Sequence, residues 1–282
     1  MGSGCHTLED RVGAGPALAP WKHHHGWDGM FLALDHHGLQ HVDLQQLVDA
    51  AAGSRLGGLS APRAELEALA RRRGGRRLAQ LLADVGLVLT AVELDVDLGG
   101  AAAAFDQEVR RLDELLRVLR GMAAFGAGDG AAVIRLPAGP LPSRDRLRAV
   151  AAATAPLGVR LLLESEGSLG PAEAAALARE VAPQGVGVVA DSARWCGEDL
   201  RPLADLPLGC RLRDRAADGT PQLPGEGALD LVGWLGALHG LEYRGALLIG
   251  APAGVAEPMA AARLCQAGGE RILVRARRQG WA

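Results

Sequence analysis

Lysine is all but missing from this 282-residue chain: Lys22 is the only one, and every other cationic side chain apart from histidine is an arginine. That bias, together with abundant alanine and glycine, is read as the mark of a GC-rich genome and carries no functional argument. Positive net charge is missing too. At −3 overall, nothing in the bulk composition calls for nucleic acid or an anionic membrane as a partner. The four cysteines, Cys5, Cys196, Cys210 and Cys265, stand far apart with no CxxC pair, which excludes a zinc ribbon or a dithiol redox motif. Free thiols in a reducing compartment are the expectation. No apolar run reaches the roughly 18 residues needed to cross a bilayer. The N-terminal stretch has no basic segment followed by an apolar one, so no secretory signal is expected and a cytoplasmic location follows.

What is present is enough apolar material for one continuous core, 49% of residues, in a chain somewhat longer than a single barrel domain. Residues 1–28 are rich in glycine and proline and show no periodicity; they are expected to form a flexible N-terminal arm. The run His23, His24, His25 lies in that arm, where an adventitious metal patch is the simpler reading. Residues 29–282 are expected to form the folded domain. From Met30 short apolar runs alternate with amphipathic stretches. Strands are expected at 30–35, 87–94, 131–137, 159–164, 186–191, 208–214 and 245–250, with a weaker one near 56–60. Helical spacing is clearest from Phe105 to Gly126, with Gly126 as the stop, and one long helix is expected from about Pro62. Strand–helix alternation implies right-handed βαβ units and a parallel sheet. Eight such units close a (β/α)8 TIM barrel. An open doubly wound sheet is disfavoured, because the first strand runs into DHHG with no glycine-rich phosphate turn.

In a barrel the site lies at the C-terminal ends of the strands, so charged residues there carry most of the information. The first strand ends in Asp35, His36 and His37; the two histidines are open between a site role and a structural one. Glu93, Asp95 and Asp97 follow the third strand and read first as loop or capping residues. Arg135 ends the fourth strand, Glu164 the fifth and Asp191 the sixth, with Arg194 just beyond. On the seventh, strand alternation turns Arg211 and Arg213 toward the mouth, and Cys210 and Leu212 toward the helices. Buried arginines need partners, and Glu164 and Asp191 on neighbouring strands are the expected ones. Asp214 reads as a cap or a partner of Arg215. The eighth strand ends in Gly250, without a charge.

The order of these segments resembles the xylose-isomerase-like superfamily of sugar phosphate isomerases and epimerases. VRLLLES resembles its fifth strand ending in Glu, and VGVVADSARWCGEDL its sixth ending in Asp. CRLRD resembles the seventh-strand pattern of His and Lys–Asp. LPGEGALDLVGWLGALHGLEYRGALLIG resembles the glycine-rich loop, helix and eighth strand. The likeness runs from about residue 30 to 270. It implies a divalent metal held by Glu, Asp, His and Glu at the ends of strands five to eight. Here Glu164 and Asp191 match, Arg211 stands in the place of the His, and Gly250 in the place of the last Glu. A guanidinium has no lone pair to give a metal and carries a permanent charge. No cofactor is therefore expected, although a divalent metal rebuilt around His36 or His37 stays open.

The function implied is proton abstraction next to a carbonyl on a small hydroxy-carbonyl or anionic substrate. Glu164 would be the base, Asp191 and Arg211 the other catalytic groups, and Arg211 with Arg213 the oxyanion or anion stabilisers. His36, His37, Arg135, Arg194 and Arg213 are the expected substrate-binding residues. Loss of the second carboxylate suits a metal-independent lyase or dehydratase of the same barrel better than a two-base epimerase. The alternative is a non-catalytic barrel binding a small anionic ligand. Arginines locked to carboxylates would favour that alternative; a carboxylate left unpaired beside one would favour catalysis. The expected partner is a small molecule, not nucleic acid or membrane; a homo-oligomer is left open.

Overall fold

The computed structural model describes residues 29–281 apart from 40–41, 74, 122–123, 126–129, 139–140, 168, 183–184 and 253–256. The arm over 1–28, with His23, His24 and His25, and the stop at Gly126 lie outside the described residues.

The βα alternation closes as expected. Eight parallel strands form a barrel: β1 (Phe31–Leu34), β2 (Gly58–Pro62), β3 (Val88–Leu94), β4 (Ala131–Leu136), β5 (Arg160–Ser165), β6 (Val186–Asp191), β7 (Leu208–Leu212) and β10 (Ala246–Ile249). β1 closes the ring by pairing with β10 on one side and β2 on the other. Between β7 and β10 a short antiparallel hairpin, β8 (Asp214–Arg215) with β9 (Pro221–Gln222), leaves the barrel at its mouth. Helices cover the outside: α1 (Leu44–Gly53), α2 (Arg63–Arg73), α3 (Gly75–Asp84), α4 (Ala102–Gly121), α5 (Arg144–Thr154), α6 (Pro171–Val181), the single turn α7 (Ser192–Trp195), α8 (Leu231–Gly240) and α9 (Pro258–Arg278). Among the described residues no helix is long and apolar enough to cross a membrane.

The helix expected from about Pro62 is present as α2 and α3, with residue 74 between them outside the described residues. One expectation about elements needs correction. The run 208–214 is not one strand: β7 ends at Leu212, and Asp214 begins the hairpin. The reason lies in Asp214, whose carboxylate accepts the main-chain N–H groups of Arg215, Gly225, Gly227 and Leu229. Four backbone donors on one buried carboxylate fold the loop around it and end the barrel strand. The weak eighth strand is real, as β2.

Two apolar layers hold the barrel. Alternate strand residues such as Leu34, Val92, Leu163, Val188, Cys210 and Leu212 pack outward against the helices. The other set, Ala33, Ala91, Ala131, Val133, Leu162, Val189 and Leu248, fills the interior. Several of those are small. They leave a mostly apolar cavity of about 760 Å³ open at the strand starts, lined by Phe31, Leu162, Arg160, Arg244 and their neighbours. The charged residues gather at the opposite end.

Candidate active site

Strand alternation places the strand-end charges. Inward positions occur every second residue, so the layer above Ala33, Ala91, Val133, Leu162 and Val189 consists of Asp35, Glu93, Arg135, Glu164 and Asp191. Across the ladders Arg135 sits level with Glu164, and Asp191 with Arg211.

Arg211 is the centre of this layer. Its side chain is wholly buried, and its guanidinium is shared by three carboxylates. Nη1 donates to Asp35 Oδ2 at 2.5 Å, and Nη2 to Glu93 Oε1 at 2.5 Å. Nε lies 2.9 Å from Glu164 Oε1, an ionic contact outside hydrogen-bond geometry. Burial alone would make the cation easier to deprotonate, but Asp35, Glu93 and Glu164 outweigh it and hold the charge in place. Above it Arg213 bridges Asp191 (Nη1–Oδ2 3.2 Å) and Asp35 (Nη2–Oδ2 3.4 Å), with Glu164 Oε1 at 3.6 Å. Glu164 and Asp191 are the partners expected for the two arginines, Glu164 meeting Arg211 and Asp191 meeting Arg213; Asp35, next to β10, and Glu93, from across the barrel, join them at Arg211.

The rim arginines are engaged as well. Arg194 Nε is 3.7 Å from Asp191 Oδ2, while its Nη1 donates to the carbonyl oxygens of Glu166 and Gly167. Arg135 lies 3.7 Å from Glu164 Oε2 and 3.4 Å from Glu166 Oε1.

The two histidines divide. The main-chain N–H and Nδ1 of His36 are both on Ser60 Oγ, at 3.2 and 3.1 Å, and burial pushes its pKa down to about 3. Its ring is therefore held against β2. His37 turns to Asp35: its N–H donates to Oδ1 at 3.2 Å, and Nδ1 lies 2.9 Å from the same oxygen. His37 Nε2 is buried with no hydrogen-bond partner among the described residues.

Electrostatics sorts the acids. Burial pushes Asp35 up, but Arg211, His37 and Arg213 together hold its carboxyl well below the usual range. For Glu93 and Asp191 burial wins over the facing arginines and their pKa values rise. Above this layer opens a cavity of about 360 Å³, lined by Asp35, His37, Asp191, Arg194, Arg213 and Gln222 among others. Glu164 and Arg211 do not line it.

Asp35 and Glu93 were not among the expected site residues. The inward alternation of their strands is the signal that finds them. Their pairing with a residue at 211 is not visible along the chain. Asp95 and Asp97 are exposed, and Asp97 caps the N–H of Gly99.

Among solved structures, a xylose isomerase domain protein from Alicyclobacillus acidocaldarius subsp. acidocaldarius is 25% identical over 88% of this chain and 99% of its own, with a TM-score of 0.72. The chain has the xylose isomerase-like TIM-barrel fold. Two further structures share this barrel at lower identity. The IolI protein with a binding zinc atom is 15% identical over 87% of this chain and 99% of its own, TM-score 0.68. D-psicose 3-epimerase with D-tagatose from Clostridium cellulolyticum H10 is 12% identical over 88% and 99%, TM-score 0.64. No protein-family model matches the sequence, and no curated protein does.

A metal in such a barrel has two donor sets to consider here, and neither fits. Glu164 and Asp191 each face a guanidinium, and Gly250 has no side chain. Asp35, His36, His37 and Glu93 bring donor atoms within 4.8 Å of one another, but Arg211 already holds both carboxylates of that set. An ion there would share its oxygens with a fixed cation.

Proposed function

We propose that this xylose isomerase-like barrel is an isomerase- or epimerase-type enzyme that moves a proton next to a carbonyl. Its substrate is a small hydroxy-carbonyl compound, and arginine supplies the positive charge that a metal supplies elsewhere. The observation that carries this reading is Asp191. It is buried, opens on the mouth cavity, touches Arg213, and burial raises its pKa. A carboxylate so raised is a stronger base than an exposed one, and a cation beside it is where an enediolate oxygen would gain stabilisation. Asp35, Glu93, Glu164 and Asp191 converge on Arg211 and Arg213, with Arg135 and Arg194 beside Glu164 and Asp191 at the rim. Glu164 supports the site through Arg213, and Asp191 is the group that reaches the cavity.

A second reading, a non-catalytic barrel that binds a small anion, is favoured by one observation: each mouth arginine is already paired with a carboxylate. Incubating the protein in D2O with ketoses, aldoses, their phosphates and 2-oxo-3-hydroxy acids separates the two. Loss of a carbon-bound proton signal by NMR, abolished in Asp191→Asn, is expected. Saturable binding of these compounds without exchange would replace the enzyme reading by the second one.

A further inference from the structure

The end of β10 is bare, and the group nearest that gap belongs to another strand. A Cβ built on Gly250 would lie 3.4 Å from Asp35 Cβ and 3.6 Å from its Oδ2, with no closer neighbour. Asp35 in turn grips His37 at two points, the main-chain N–H and the ring Nδ1. Resting on the proton-transfer reading above, we infer that His37, oriented by Asp35, is the second proton-handling group of the mouth and fills the role that a side chain on Gly250 would have.

The arrangement is that of an oriented imidazole. Asp35 is wholly buried and anchored by Arg211 Nη1 at 2.5 Å, so its carboxylate cannot swing away. A carboxylate fixed against Nδ1 stabilises the tautomer with the proton on Nδ1 and leaves the lone pair on Nε2. Arg211 Nη1 also lies 2.6 Å from Nδ1 and has a second N–H beyond the one given to Asp35 Oδ2, so it competes with the Asp35 carboxylate for that nitrogen, and the tautomer measured below decides between them. Nε2 is the nitrogen left over, on a side chain that lines the cavity. A buried nitrogen without a partner is costly, and a catalytic role is one reason for such an atom to persist. His36, one residue earlier, shows the contrast, with Nδ1 and N–H both committed to Ser60. The turn carrying them is locked: a Cβ on Gly38 would lie 2.0 Å from the carbonyl oxygen of Ala251, so only glycine lets the β1 turn sit against the end of β10.

The step balances without a further reagent. The Nε2 lone pair takes the proton from the carbon next to the substrate carbonyl. The C–H electron pair becomes the C=C bond of an enediolate, and the carbonyl π pair moves onto oxygen beside Arg213. Return of that proton from the imidazolium to the neighbouring carbon, with the hydroxyl proton of the first carbon passing to the enediolate oxygen, gives the isomeric carbonyl compound and restores His37.

Two measurements test this on the full chain. Long-range 1H–15N spectra, with the His37 signals assigned through His37→Gln, are expected to show the Nδ1–H tautomer. In Asp35→Asn, Arg211 keeps the amide oxygen on its own side and the NH2 faces His37, so the ring is expected to switch to Nε2–H. An Nε2–H tautomer in the unaltered protein overturns the inference, whatever the activity. On a compound that exchanges, His37→Gln is expected to lower kcat for exchange by about 100-fold or more with KM little changed. Unchanged exchange in His37→Gln overturns the inference and leaves the enzyme reading standing. A protein that exchanges nothing overturns the enzyme reading instead, and the tautomer then decides on His37.

Discussion

Arg211 shows how one side chain sets the character of a site. A guanidinium has donors in a rigid fork, and here three carboxylates from β1, β3 and β5 converge on it. Removing it strands those acids in a region from which water is excluded. Arg211→Met is therefore expected to lose about 3–5 kcal/mol of stability near neutral pH, the usual cost of breaking a buried pair from one side. The pH dependence should invert. In the unaltered protein Asp35 has a depressed pKa, so its contribution is present above the unfolded carboxylate value and is lost as pH falls through the folded one. Without Arg211 burial dominates, Asp35 prefers to be protonated, and the variant gains stability as pH falls. Urea unfolding near neutral pH and about two units below checks this. A loss under about 1 kcal/mol that does not change between the two conditions would show that the three acids do not depend on Arg211.

At the scale of elements, close backbone approach is what lets the strands reach their register. Gly187 in β6 is the sharpest case: a Cβ there would lie 1.8 Å from the carbonyl oxygen of Pro207, a main-chain atom that cannot rotate away. Gly187→Ala is expected to cost about 1–3 kcal/mol or more, because β6 and the start of β7 must separate. Gly240, the last residue of α8, has open space around it and an ordinary φ, so Gly240→Ala should be neutral or gain up to about 1 kcal/mol. Thermal unfolding of the two variants side by side separates a packing effect from a general dislike of alanine. Equal shifts in both would sink the argument. The same element decides the site, since β6 ends in Asp191 and the ladder sets Asp191 level with Arg211.

For the whole molecule, barrel closure turns sequence distance into contact. Asp35 and Arg211 are 176 residues apart and meet because the strands are arranged in a ring. That ring also decides what the mouth can bind. At about 4 Å and an effective dielectric near 20, each unit of charge on an ion is repelled by Arg211 by roughly 4 kcal/mol. Divalent zinc or manganese is accordingly expected to bind weakly at the mouth, as titration calorimetry on a chain with His23, His24 and His25 changed to alanine would report. Arg211→His with Gly250→Glu in that background should tighten binding at least about 10-fold, because it restores two donors, and the space at Gly250 accepts a Cβ. Stoichiometric tight binding before those changes would show that His36 or His37 has rebuilt the site.

Much of this was legible along the chain. Apolar runs bounded by turns mark seven strands, and the charged residue closing each run marks the mouth, because a parallel barrel gathers strand ends on one side. That Arg211 points into the barrel follows from two-residue alternation alone. Composition could not show that β2 is a strand, since GLSAP has no β-branched residue and takes its conformation from pairing with β1 and β3. Nor could it show where β7 ends, which four amides on Asp214 decide. Above all, sequence names the charges but not their partners. Glu93 reads as an ordinary loop acid and Asp35 has no partner until the ring brings both to Arg211, and His36 and His37 read alike until one faces Ser60 and the other Asp35. Local pattern is written in neighbouring residues, whereas ion pairing depends on which strands closure places across the barrel from one another.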